Sequence, residues 1–383
     1  FHDLVRLLSR EELKQKTEEE QEAARRRVTQ HYLEWAKFMD SCLRPVKRRE
    51  LAQKFAENQD ESAEEIEATL PMRAVSWFEQ ERQNLLMSDR WAMQQQDWST
   101  VISFARNLAE FFDIRSYWIE DIWIGKQALT AARHSSNLHE ETYALNSLSI
   151  VYRKLGHWPE AITYCEQSLK ICRSTDDRHG EGKVLNNLAS IYYRQKRWEE
   201  AIVCFLQDLE ICRACGDRDG EGRTLSNLGL AYQDQGDLDA AESCFKQSLE
   251  IKRALCDIRG QSQTLKNLGM VHRKRRRWNA AMSCYERSLE IKQAISDWHG
   301  EGRTLMNIGV LHEKKKQFPH AIVAWQEALT KLHPDSPDTK TVTGWLQQAQ
   351  QPRRPGLASR ILGLAAVAAA LALIASNLLA GRW

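Results

Sequence analysis

Proline is scarce in this chain, eight residues in 383, and glycine is held to eighteen. So thin a supply of chain-breaking residues argues against a β architecture with many tight turns, and abundant Ala, Leu, Glu, Lys, Gln and Arg favours helices. An excess of charge of one sign is missing too: 54 Lys and Arg stand against 52 Asp and Glu, a net charge of +2. No global field therefore draws the chain to nucleic acid, and any charge argument must be local. The nine cysteines are odd in number and scattered. They do not make the dense framework of a small secreted scaffold, and no cleavable secretory signal is visible. Both features point to reduced thiols and a cytoplasmic body. The chain opens at Phe1, so further sequence upstream is expected.

Sites for chemistry are missing as well. There is no G-x-x-x-x-G-K-[ST], no G-x-S-x-G and no H-E-x-x-H. Cys212 and Cys215 form a lone C-x-x-C without two further ligands nearby, so no metal site is expected. Eleven histidines form no catalytic constellation. The expectation is a protein that is not an enzyme, with no cofactor and no small-molecule substrate. Long apolar runs are absent but for one: Ile361 to Ala380 carries no charge over twenty residues. At about 1.5 Å per residue a helix of that length spans a bilayer core. Arg353, Arg354 and Arg360 precede it and only Arg382 follows, which places the soluble body on the cytoplasmic side of a C-terminal membrane anchor.

What is present is a repeat. Leu145, Leu185, Leu225, Leu265 and Leu305 recur at a spacing of forty, as do Ala161, Ala201, Ala241, Ala281 and Ala321. Trp158, Trp198, Leu238, Trp278 and Phe318 form another column, and DRHGEG, DRDGEG, DIRGQS and DWHGEG mark the junctions. Apolar positions at i, i+3 and i+7, such as Leu185, Leu188 and Tyr192, predict one amphipathic helix per half-unit. One hairpin cannot bury both faces, so the units must stack into a solenoid with a concave groove.

These columns resemble the tetratricopeptide repeat in its forty-residue form, seen in kinesin light chains and many bacterial sensor proteins. The resemblance implies an all-α, right-handed superhelix (an α-solenoid), here with a C-terminal transmembrane helix. The expected organisation is a helical segment over 1–56, an acidic linker over 57–73, degenerate repeats over 74–140, five repeats over 141–337, a capping helix over 338–352 and the membrane helix over 361–380. In the family, the first-helix faces line a groove that holds extended peptides. The matching positions here are Asn187, Asn227, Asn267 and Asn307, flanked by Lys154, Lys183, Arg194, Arg223, Lys274, Arg303 and Lys314. An amide both donates to and accepts from a peptide backbone without reading its side chains. The asparagines show no packing role in the sequence, and the cations favour an acidic protein or peptide ligand. Some family members clamp a terminal carboxylate with a second Asn three residues on. Ile150, Ser190, Leu230, Met270 and Val310 stand there instead, which favours an internal acidic or amphipathic segment.

Two further features bear on the partner. The basic run Arg273 to Arg277 lacks interleaved aromatics, since Trp278 belongs to the hairpin core, so nucleic acid is disfavoured. Phe1-His2-Asp3 resembles the hydrophobic-His-Asp motif of STAND-type nucleotide switches, in which His2 would sense bound nucleotide. The resemblance supplies an alternative: a sensor arm of an ATP/ADP-controlled signalling switch whose nucleotide-binding domain lies upstream.

Overall fold

The computed structural model describes residues 16–57 and 61–350, and among the described residues the regular elements are sixteen α-helices. The chain divides into two compact units, Phe1–Leu255 and Cys256–Trp383. In the first unit, α1 (Glu18–Leu43), α2 (Pro45–Ala56) and α3 (Ala63–Gln94) precede four hairpins. These are α4 (Trp98–Arg115) with α5 (Trp118–His134), α6 (Leu138–Leu155) with α7 (Trp158–Ser174), α8 (Arg178–Arg194) with α9 (Trp198–Ala214), and α10 (Arg218–Gln235) with α11 (Leu238–Ala254). The second unit holds α12 (Ile258–Lys274) with α13 (Trp278–Ala294), α14 (Trp298–Lys314) with α15 (Phe318–Lys331), and α16 (Pro337–Gln350).

The turns show why the helices keep one length. A residue of left-handed backbone falls at every twentieth position from Gln96 to Lys316, and only Gly156, Gly216 and Gly236 among them are glycine. In most of these turns two amides close the preceding helix. Lys196 N–H donates to Tyr193 O at 3.0 Å and Arg197 N–H to Tyr192 O at 3.0 Å, the paired bonds of a Schellman motif. The next first helix is then started by a side chain. Asp97, Asn137, Asp177, Asp217, Asp257 and Asp297 each accept the N–H three residues on. A cap of this kind contributes about 1 kcal/mol. Because the turn already stands at Gln96 and Ser116, α4 and α5 have the backbone of a full repeat although their sequence has drifted.

Hairpins close on a pairing of small with large. The Ala column at 161, 201, 241, 281 and 321 is wholly buried, and Phe205, Phe245, Tyr285 and Trp325 lie beneath the surface one turn later. Opposite these rings the first helix offers Gly229, Gly269 and Gly309. A Cβ at Gly269 would lie 2.5 Å from Tyr285 Cε1. In the second unit α16 covers the last hairpin: Val342 and Leu346 bury against Trp325 and Leu332, and Trp345 meets Trp325 at 5.5 Å.

The structure corrects the acidic linker over 57–73. The helix α2 runs to Ala56 and α3 begins at Ala63. Ser62 and Glu65 form a reciprocal capping box, and Ile66, Leu70, Ala74 and Phe78 supply a buried stripe. Pro71 sits inside this helix. It costs roughly 3 kcal/mol against alanine, which burial of the stripe offsets at about 1.5–3 kcal/mol per large apolar side chain. The apolar stripe is spaced among acidic residues, the exposed Glu64 and Glu65 and the half-buried Glu67. The proposed membrane segment 361–380 and His2 lie outside the described residues; among the described residues no helix is long and apolar enough to cross a membrane.

Gly309→Ala is expected to destabilise the second unit by about 1–3 kcal/mol through overpacking, since its Cβ would lie 2.3 Å from Trp325 Cδ1. Gly344→Ala, whose Cβ meets nothing within 4 Å, is expected to stabilise by up to about 1 kcal/mol. Urea unfolding of the two variants followed by circular dichroism checks both signs.

Candidate protein-binding face of the first helices

Successive first helices touch one another: α6 meets α8 and α8 meets α10 in the first unit, and α12 meets α14 in the second. Each presents a polar strip beside its packed columns. On α8 the strip is Lys183, Asn187, Ser190 and Arg194; on α10 it is Arg223, Asn227, Leu230 and Asp234.

The asparagines do more than line this strip. Asn187 Nδ2 donates to Asn146 Oδ1 of the preceding repeat at 2.6 Å, and Asn227 Nδ2 donates to Asn186 Oδ1 at 3.4 Å. Both therefore link neighbouring hairpins, which corrects the expectation that the column lacks a packing role. Asn186 is the hub: its Nδ2 also donates to Asp208 Oδ2 at 2.7 Å and Thr224 Oγ1 at 3.1 Å. Burial raises the Asp208 carboxyl above its ordinary pKa, opposed by hydrogen bonds from Thr224, Asn186 and Cys212. A pocket of about 20 Å³ opens here, lined by Lys183, Asn186, Asp208, Asp217 and Arg223 among others. The Oδ1 atoms of Asn187 and Asn227 accept no hydrogen bond among the described residues.

In the second unit the column behaves differently. Asn267 is 4% exposed and accepts from Gln263 Nε2 at 3.4 Å, so it is no open docking group. Asn307 is half-buried and donates to the carbonyl of Arg303 at 2.9 Å. The cations divide as well. Lys154 pairs with Asp113, Arg223 with Asp219 at 3.1 Å and Arg303 with Asp338 at 3.2 Å. Lys183, Arg194 and Lys314 are exposed and make no ion pair among the described residues, and Lys274 is exposed.

The tetratricopeptide repeat family matches residues 140–207, 181–254 and 260–331. The chain is a tetratricopeptide repeat protein. Solved structures share its fold. BtubC (BKLC) from P. vanneervenii is 21% identical, with a TM-score of 0.50 over 56% of this chain and 92% of that one. A STAND protein with a tetratricopeptide repeat sensor from Pyrococcus horikoshii is 16% identical, with a TM-score of 0.52 over 73% of this chain and 48% of that one. A Rap protein complexed with Competence and Sporulation Factor is 12% identical, with a TM-score of 0.50 over 86% of this chain and 98% of that one. No curated protein matches the sequence.

Two further polar features of this tetratricopeptide repeat protein went unread in the sequence. The Glu of the junction motif is buried and held from both sides. Glu181 takes Arg173 at 2.7 Å and Arg178 at 3.2 Å, and Glu221 takes Arg213 at 2.8 Å and Arg218 at 2.6 Å. The period was visible in DRHGEG and DRDGEG; its partner, an Arg eight residues earlier, was the missed signal. The second feature is a pair of interior amines. Lys266 is 5% exposed and Lys292 is 2% exposed. Burial pulls Lys266 down to about 7, helped by Arg303 and Lys292 and opposed by Asp338 and Asp297. Burial likewise lowers Lys292 to about 8, with Asp297 opposing the fall and Arg303 adding to it.

Two outcomes follow from this face. Asn187→Ala is expected to cost about 1 kcal/mol, the net worth of one inter-repeat hydrogen bond, read as a lower urea midpoint at unchanged helicity. For Lys266, the unfolded state keeps its proton up to about pH 10.4 while the folded state loses it near 7. Between those limits the unfolded chain binds more protons, so this residue's contribution rises with pH. Lys266→Met should therefore melt higher than the parent at pH 6.5–7, by a margin that shrinks toward pH 10.

Proposed function

We propose that this protein is a protein–protein interaction scaffold that captures an extended, acidic segment of a partner on the first-helix strip of its first unit. Tetratricopeptide repeats are typically non-catalytic binding modules, and the repeats cover residues 140–331. One observation carries the finer reading. The unoccupied acceptor of Asn187 lies on the α8 strip with Lys183 and Arg194, two exposed cations without an ion pair among the described residues, and that of Asn227 lies on the next first helix. The amides are already held by their bonds to the neighbouring repeat, so they meet a peptide N–H without first being ordered. The cations select by charge and speed encounter. The neighbour of the same fold solved with Competence and Sporulation Factor is consistent with such a use of the fold.

A second reading, the sensor arm of a nucleotide switch, draws support from the Phe1-His2-Asp3 resemblance and the shared fold of the STAND protein's repeats. A nucleotide-binding domain encoded upstream of Phe1 would favour it. Membrane tethering rests on the uncharged run 361–380 alone.

The test uses the full chain and fluorescently labelled twelve-residue peptides of matched sequence in acidic, neutral and basic versions. The acidic version is expected to bind best, and Lys183→Glu with Arg194→Glu should weaken it at least tenfold. Raising salt from 0.05 to 0.5 M should weaken it further, because the steering charges are exposed. Binding of all three versions alike, indifferent to salt and to the charge reversal, would overturn the reading.

A further inference from the structure

The slot between a second helix and the two first helices beside it carries different polar groups from repeat to repeat. In the first unit one such slot holds an acid, Asp208, satisfied by Asn186 and Thr224, and the next holds Lys252, which donates to Ser226 Oγ at 2.9 Å. In the second unit the corresponding slot, between α13 and its neighbours α12 and α14, holds Lys266 and Lys292. Lys292 is partly satisfied: its Nζ donates to the carbonyl of Gly300 at 2.9 Å and to Thr304 Oγ1 at 3.0 Å. An ammonium has three protons, so one remains. Lys266 makes no hydrogen bond or ion pair among the described residues. Arg303 acts on both lysines from the rim.

The nearby carboxylates do not neutralise the pair. Asp297 caps α14 through Gly300 N–H at 2.9 Å. Glu301 is taken by Lys331 at 3.2 Å. Asp338, from the first turn of α16, reaches the rim only and sits 3.2 Å from Arg303 and 4.0 Å from His299. Two interior amines without a buried counter-ion are costly, each ammonium losing several kcal/mol of hydration in order-of-magnitude terms. A purely structural staple would need Lys292 alone. Lys266 adds a second charge and no bond.

We propose that Lys266, Lys292 and Arg303 form an oxyanion-binding site in the second unit, with a phosphoryl group as the best-matched ligand. Three cationic donors from three different helices suit a dianion with several acceptor oxygens. Asp338 already brings one carboxylate to the rim, so it both shows what the place attracts and competes for Arg303. A bound dianion supplies the missing counter-charge. The site lies in the other unit from the peptide strip and does not depend on that reading.

The experiment titrates the full chain with sodium phosphate, and separately with sodium acetate and sodium chloride at equal ionic strength, at pH 7.5, by isothermal calorimetry and thermal melting. Phosphate is expected to bind once per chain and raise the melting temperature beyond chloride. Lys266→Met, which removes a buried charge and should keep the fold, and Arg303→Gln should each weaken it at least tenfold. Asp338→Asn should strengthen it severalfold. Acetate acting more strongly than phosphate, with the same dependence on Lys266 and Arg303, keeps the oxyanion site and assigns it to a partner's carboxylate. Phosphate and acetate indistinguishable from chloride, or phosphate binding unchanged in Lys266→Met and Arg303→Gln, would refute the site.

Discussion

Each hairpin depends on how closely a second helix can approach the first, and that approach is set by a ring against a backbone. Phe245, Tyr285 and Trp325 lie where any side chain on Gly229, Gly269 and Gly309 would collide with them. Earlier in the array the same positions hold Ser149 with Cys165 and Ala189 with Phe205. Interiors are close-packed, so this complementarity fixes the separation of the two helices. The wholly buried Ala column then meets its partner at the same depth in every repeat. The left-handed residue at every twentieth position does the same for direction.

With the backbone held constant, chemistry is free to vary at fixed places. The interior slot that takes Asp208 with Asn186 and Thr224 in one unit takes Lys266 and Lys292 in the other. An acid in such a slot finds hydroxyl and amide donors and is satisfied within the chain. Amines there need acceptors that apolar helices do not supply, and only Lys292 finds them, at Gly300 and Thr304. The same scaffold thus carries a fully satisfied polar network in one repeat and an incompletely satisfied one in another, and the second is the more costly to bury.

Much of this was legible beforehand because repetition is itself a signal. Forty-residue spacing in Leu145, Leu185, Leu225, Leu265 and Leu305 leaves few alternatives to stacked hairpins. Where repetition failed, so did the reading. The stretch around Ile66 and Leu70 belongs to no repeat, and its acids and Pro71 suggested a linker, while the capping box at Ser62 and a buried stripe make it helix. A sequence shows the spacing of the asparagine column along one helix and nothing about the helix beside it. Asn187 reaches Asn146 across a gap of 41 residues, a partner that no periodicity within α8 could name.

Period and polarity along the chain therefore determined the helices, their pairing and the face each buries, since those follow from local geometry repeated. Tertiary structure alone decided which polar groups are spent and which are free. Asn227 and Asn267 occupy equivalent places in sequence, yet one is half-exposed and the other is covered. That difference depends on how neighbouring helices pack around each side chain. Hydrogen bonds and burial act through space, across separations that a linear pattern does not record.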